Sequence, residues 1–102
     1  MERESQVLNG DADEIEWALL IRARVNAEFN RVVKVLERTA IKRSGQQRAD
    51  TYVMIAIVEE KRAEVMSNQD AEYFIRDWHE LHDQVRKMLN NDVRYQAIKA
   101  GI

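Results

Sequence analysis

The sequence contains no cysteine and no proline, and its only glycines are Gly10, Gly45 and Gly101. Without cysteine there is no disulfide framework, no thiol nucleophile and no thiolate-bound zinc. The scarcity of proline and glycine removes the turn punctuation that sheets require every few residues, and it favours helices. No apolar run approaches the ~20 residues that span a bilayer. Met1-Glu2-Arg3-Glu4 is acidic and polar where a secretory signal begins basic and continues apolar. These absences predict a soluble, cytoplasmic, all-α protein.

Catalytic signatures are missing as well. There is no glycine-rich phosphate loop, and Ser5, Ser44 and Ser67 fall in a tail or at helix caps rather than in a nucleophile elbow. The many carboxylates form no pattern that implies burial or pairing for acid–base work. His79-Glu80-Leu81-His82-Asp83 sets two imidazoles three residues apart with an acid beside them, but it is not His-Glu-x-x-His and lacks the glutamates of a di-iron bundle. It reads as two surface or boundary histidines flanking Trp78. The expectation is a binding protein, not an enzyme, with no metal and no cofactor.

What is present is charge, arranged in blocks. Residues 1–21 carry six acidic and one basic side chain, and residues 22–49 carry eight basic and two acidic. Residues 50–83 return to nine acidic against three basic, and residues 84–102 carry four basic and one acidic. With 102 residues the chain is long enough to close one core. A flexible tail over residues 1–10 is expected, followed by a single domain over residues 11–102.

Hydrophobic periodicity predicts the elements. Asp11 and Glu14 have the spacing of a capping box, and Ile15, Ala18, Leu19, Val25, Phe29, Val32, Val33, Leu36 and Ala40 keep one helical face for about eight turns. Ser44-Gly45-Gln46-Gln47 breaks the pattern. A second helix runs to about Met66 through Tyr52-Val53-Met54-Ile55-Ala56-Ile57-Val58, the longest charge-free stretch, which is expected to be the buried hub. One side of this helix carries Ala49, Tyr52, Val53, Ala56, Ala63 and Met66. Ser67 or Asn68 caps a third helix, periodic through Ala71, Phe74, Ile75, Trp78, Leu81, Val85, Met88 and Leu89. Asn90-Asn91-Asp92 caps a short fourth helix from Val93 to Lys99. Trp17, Phe29, Tyr52, Phe74 and Trp78 are expected in the core.

The predicted architecture is an antiparallel three-helix bundle with a short C-terminal fourth helix. At ~1.5 Å per residue helix 1 is ~45 Å long and helices 2 and 3 are each ~30 Å, so the Trp17–Ile21 segment overhangs. An apolar overhang predicts an interface, with Trp17, Leu20, Ile21, Ile55 and Val58 in contact with a second copy, most simply in a dimer, or with another protein. The expected function is a small helical interaction module, an adaptor, inhibitor or assembly factor. The alternative is a nucleic-acid-binding oligomer that uses Arg38, Lys42, Arg43 and Arg48 at the hairpin tip.

Overall fold

The computed structural model describes residues 8–101, whose elements are α1 (Ala12–Ile41), α2 (Gly45–Met66), α3 (Ala71–Asp77), α4 (Leu81–Asn90) and α5 (Val93–Gly101). There is no strand among the described residues, and none of their helices is long and apolar enough to cross a membrane.

Helix α1 opens on the capping box expected of Asp11: its carboxylate accepts from the Glu14 backbone N–H at 2.9 Å, and Glu14 accepts from the Asp11 N–H at 3.2 Å. Its other end is built differently from expectation. Gly45 takes a left-handed φ of 58°, as a helix break requires, but Ser44 makes no side-chain cap bond. Arg48 instead closes the end of α1. Its guanidinium donates to the carbonyls of Ala40, Ile41 and Arg43 at 3.0–3.3 Å, satisfying acceptors that the helix end leaves open.

From this turn α2 doubles back along α1, which polar contacts at three levels establish. Arg48 meets the C-terminal end of α1, Arg62 donates to Asn26 and Asn30 at its middle, and Arg22 donates to the Met66 carbonyl at 2.9 Å near the open end. Buried between the helices and the rest of the chain lie Ala18, Val25, Phe29 and Val33 of α1 and Met54, Ile57, Val58 and Val65 of α2.

The third helix departs most from its periodicity. The heptad-like spacing of Ala71 to Leu89 predicts one helix, but the chain leaves helical geometry at Trp78–Glu80 and resumes as α4. The reason is coverage. α3 packs on α1 alone among the described helices, whereas α4 contacts α1, α2 and α5. A straight helix of 19 residues cannot follow both surfaces. Gln84 satisfies the opened backbone, its amide donating to the Asp77 carbonyl and accepting from the Glu80 N–H. Trp78 remains in the core, its ring 6.4 Å from that of Phe29.

Asp70, not Ser67 or Asn68, caps α3 through the Glu72 N–H at 3.0 Å, while Asn68 supports Asp70. Asp92 caps α5 through the Arg94 and Tyr95 N–H groups and binds Lys61 of α2 at 3.2 Å, fastening the last helix to the hairpin.

The expected tail requires correction at residues 8–10; residues 1–7 lie outside the described residues. Leu8 is 2% exposed and belongs to the core. Asn9 donates to the Gln69 carbonyl at 2.6 Å and accepts from the Ala71 N–H at 3.0 Å, a two-bond bridge that seats Leu8 against the start of α3. Gly10 makes the turn into α1 with φ 148°, where a Cβ would lie 3.2 Å from that of Ala71. A single apolar side chain followed by Asn-Gly has no periodicity to read, so its docking was not visible in sequence.

Leu8→Ala is expected to lower unfolding free energy by about 2 kcal/mol or more, as for other buried leucines, in urea titration followed by circular dichroism. A loss below about 0.5 kcal/mol, typical of surface changes, would show that residues 8–10 do not hold the fold together.

Candidate interaction surface

The molecule measures 50 × 27 × 18 Å across its Cα atoms. The shortest dimension corresponds to about two helix layers. The α1–α2 hairpin is one layer and α3–α5 the other, so the hairpin has an inner face on the core and an outer face that no described helix packs across, with Glu60 at its edge paired to Arg94 of α5.

Helical geometry assigns residues to that outer face. On α2 it carries Ala49, Tyr52, Val53, Ala56 and Ala63, all exposed. This is the side that the sequence groups together, apart from Met66, which turns toward α1. Tyr52 is 50% exposed and Val53 47%. Ala49, Ala56 and Ala63 recur every seven residues, and small side chains at that interval allow a second helix to approach closely. On α1 the corresponding face carries Leu20, 60% exposed, with Ala23 and Ala27.

The residues expected at an interface therefore divide. Trp17 and Leu20 are exposed, as an interface would need. Ile21 and Ile55 are half-buried against the core, and Val58 is fully buried and has no surface to offer a partner. The hub expected of Tyr52–Val58 divides in the same way: Met54, Ile57 and Val58 face inward, while Tyr52, Val53 and Ala56 face out. Of the five aromatic residues expected in the core, Phe29, Phe74 and Trp78 are there and Trp17 and Tyr52 are not. The continuous apolar run hid the division, because a run without polar residues has no phase from which to read an inside and an outside.

The basic tip is also redistributed. Arg48 is engaged in capping α1. Arg38, Lys42 and Arg43 line an open cleft of 410 Å³ with Val35 and Thr39. Neither Arg38 nor Lys42 has a side-chain partner among the described residues.

Sequence reasoning missed Glu28, a carboxylate with only 6% of its surface exposed. Arg31 grips both of its oxygens, at 3.0 and 2.6 Å, and His82 Nδ1 of α4 lies 2.8 Å from Oε2. The bidentate Arg31 holds the carboxyl below its usual range, burial opposes this, and His82 adds to the lowering. His82 is thereby committed to a contact between α1 and α4, and Asp83 lies near Arg86 rather than His79. Among the described residues no group of three or more histidine, aspartate or glutamate side chains is placed to hold a metal ion.

Comparison of the chain with family models, with curated proteins and with solved structures finds no match.

Because the folded Glu28 carboxyl titrates below its unfolded value, the unfolded chain binds the proton first on acidification. Its contribution to stability is complete above the usual carboxylate range and is lost as pH falls through the lowered value. Glu28→Gln is expected to flatten the decline in stability between about pH 5 and pH 3, measured by thermal melts across that window. An unchanged decline would mean that Glu28 is not held as the geometry indicates.

Proposed function

We propose that the protein is a self-associating helical interaction module whose outer hairpin face packs on the same face of a second copy. The observation that carries this reading is the exposed Ala49–Tyr52–Val53–Ala56–Ala63 face of α2, continuous with Leu20, Ala23 and Ala27 of α1. Two helix widths of ~10 Å over about 30 Å give a footprint on the order of 600 Å². That approaches the ~800 Å² per partner of a standard interface.

Charge supports one arrangement in particular. The tip half of the hairpin carries Lys34, Arg38 and Lys42, and the open-end half carries Asp13, Glu16, Glu59 and Glu64, all exposed. A two-fold axis near Ala56 lays the basic half of each copy over the acidic half of the other, and it brings Ala49 of one copy level with Ala63 of its partner. In that register each copy covers the other's Tyr52. The product is a four-helix layer pair in which the α3–α5 layers lie outside.

Sedimentation equilibrium is expected to give twice the 12.0 kDa chain mass at micromolar concentration. Ala56→Glu, which places two carboxylates at the axis, is expected to weaken the dimer by at least about a hundredfold while leaving the helical signal intact, as like charges brought together at an interface cost several kcal/mol. A wild-type chain that stays monomeric at ~100 μM, well above the Kd of standard interfaces, would remove the proposal.

A second reading, nucleic-acid binding at the tip, is supported by the exposed Arg38 and Lys42, which have no side-chain partner among the described residues. Fluorescence anisotropy with a labelled duplex at low salt would then show binding that Arg38→Glu/Lys42→Glu abolishes. Binding that survives this double reversal, or no binding at all, would dismiss it.

A further inference from the structure

Helix α5 packs on α2 and α4 without close backbone approach to α1, and the space left between α5 and the hairpin tip is a cavity of 280 Å³. Leu36 and Met54 give it an apolar floor, Arg43 and Lys99 stand at its rim, and the buried Tyr95 lies between it and the cavity beside Glu28. Thr39 and Thr51 complete the wall, but their hydroxyl protons are given to the carbonyls of Val35 and Gln47 at 3.0 and 2.8 Å. They present methyl groups and oxygen lone pairs. The donors free to meet a ligand are therefore the Arg43 guanidinium, the Lys99 ammonium and the Tyr95 hydroxyl.

Arg43 differs from the other partly buried bases. Lys61 pairs with Asp92, Arg62 pairs with Glu59, and Arg22 donates to the Met66 carbonyl. Arg43 is half-buried, yet its side chain has neither an ion pair nor a hydrogen bond among the described residues, and no acidic residue lines the cavity. Lys99 has only a 3.4 Å contact with Asn90. Tyr95 is 8% exposed, and its hydroxyl has no bond among the described residues. A partly buried arginine without a counter-charge is costly unless an anion visits it. Arg48, by occupying the carbonyls at the end of α1, quenches the negative helix terminus that would otherwise repel one.

We propose that this cavity binds a small amphipathic carboxylate, with its head across Arg43 and Lys99 and its apolar body on Leu36 and Met54. Tyr95 donates to the same carboxylate. The planar guanidinium fork matches carboxylate geometry, and the unbranched thioether of Met54 adapts to chains of different shape. The cavity is near the lower edge of the ~300–1,000 Å³ range of small-molecule sites, which restricts it to short ligands. Arg43 and Thr39 also line the neighbouring cleft with Arg38 and Lys42, while Leu36, Met54, Tyr95 and Lys99 set this cavity toward α5, and it does not depend on self-association.

Octanoate is the probe, titrated into the full chain and followed by NMR at the Met54 methyl and the Tyr95 ring. Saturable shifts at both are expected. Arg43→Gln and, separately, Lys99→Gln are each expected to raise Kd by about tenfold, the worth of one charge-assisted hydrogen bond. Both side chains lie at the rim, and circular dichroism melts establish that each variant remains folded. 1-Octanol and acetate, which carry only the tail or only the head, are expected to bind at least about tenfold more weakly. The proposal is overturned if octanoate shifts centre on Trp17, Leu20 or Tyr52, or if either variant binds as the wild type does. Equal affinity for 1-octanol would remove the role of the cations, and equal affinity for inorganic phosphate would remove that of the apolar floor.

Discussion

Helix α1 has thirty residues, and no other helix in the chain can cover it alone. At ~1.5 Å per residue it is about 45 Å long, against about 33 Å for α2. The remaining architecture meets this mismatch. α2 covers one side as far as Arg22, α3 turns to the same helix on another side, and α4 takes over where His82 reaches Glu28. The break at Trp78–Glu80, the bridge between Asn9 and residues 69–71, and the burial of Leu8 all serve that coverage. Each adds a short segment where a longer helix would have diverged from its neighbour.

Coverage stops at two layers, and this gives the hairpin its two characters. Its inner face is the core. Its outer face combines alanines at seven-residue intervals with Tyr52, Val53 and Leu20. Such a face is inexpensive to leave in water because alanine exposes little apolar area, and it is easily buried because alanine hinders close approach least. The blocks of charge along the chain acquire meaning on the same surface. On the hairpin the exposed bases Lys34, Arg38 and Lys42 lie toward the tip, and the exposed acids Asp13, Glu16, Glu59 and Glu64 lie toward the open end.

Arginine is used in four different ways in this fold. Arg48 is a helix cap, Arg62 a clamp between helices and Arg31 the partner of a buried carboxylate, while Arg43 faces a cavity with no acid in it. Of the basic segment over residues 22–49, Arg31 and Arg48 are thus occupied within the fold. The fourth separates Arg43 from them by its surroundings, since the same side chain on the same helix end has been given space and an apolar floor rather than a partner.

How far the sequence reached is clearest at particular residues. The helical class, the Asp11–Glu14 box, the break at Gly45 and the Asp92 cap were legible because they depend on neighbours within four positions, where geometry is local. The single long third helix was legible and incorrect, because Ala71 to Leu89 keeps its period through a break imposed where the chain passes from packing on α1 alone to packing on α1, α2 and α5. Val58 was assigned to an interface and lies in the core, and Tyr52 was assigned to the core and lies at the surface, because an uninterrupted apolar run carries no phase. Glu28 and His82 are 54 positions apart, Asn9 and Ala71 are 62, and Arg43 and Lys99 are 56, and such distances leave no periodic trace. Local chemistry in the sequence determined where the helices of this protein begin and end; which side of each is wet, and which charges go without partners, was decided only when one helix too long for any neighbour had to be covered in pieces.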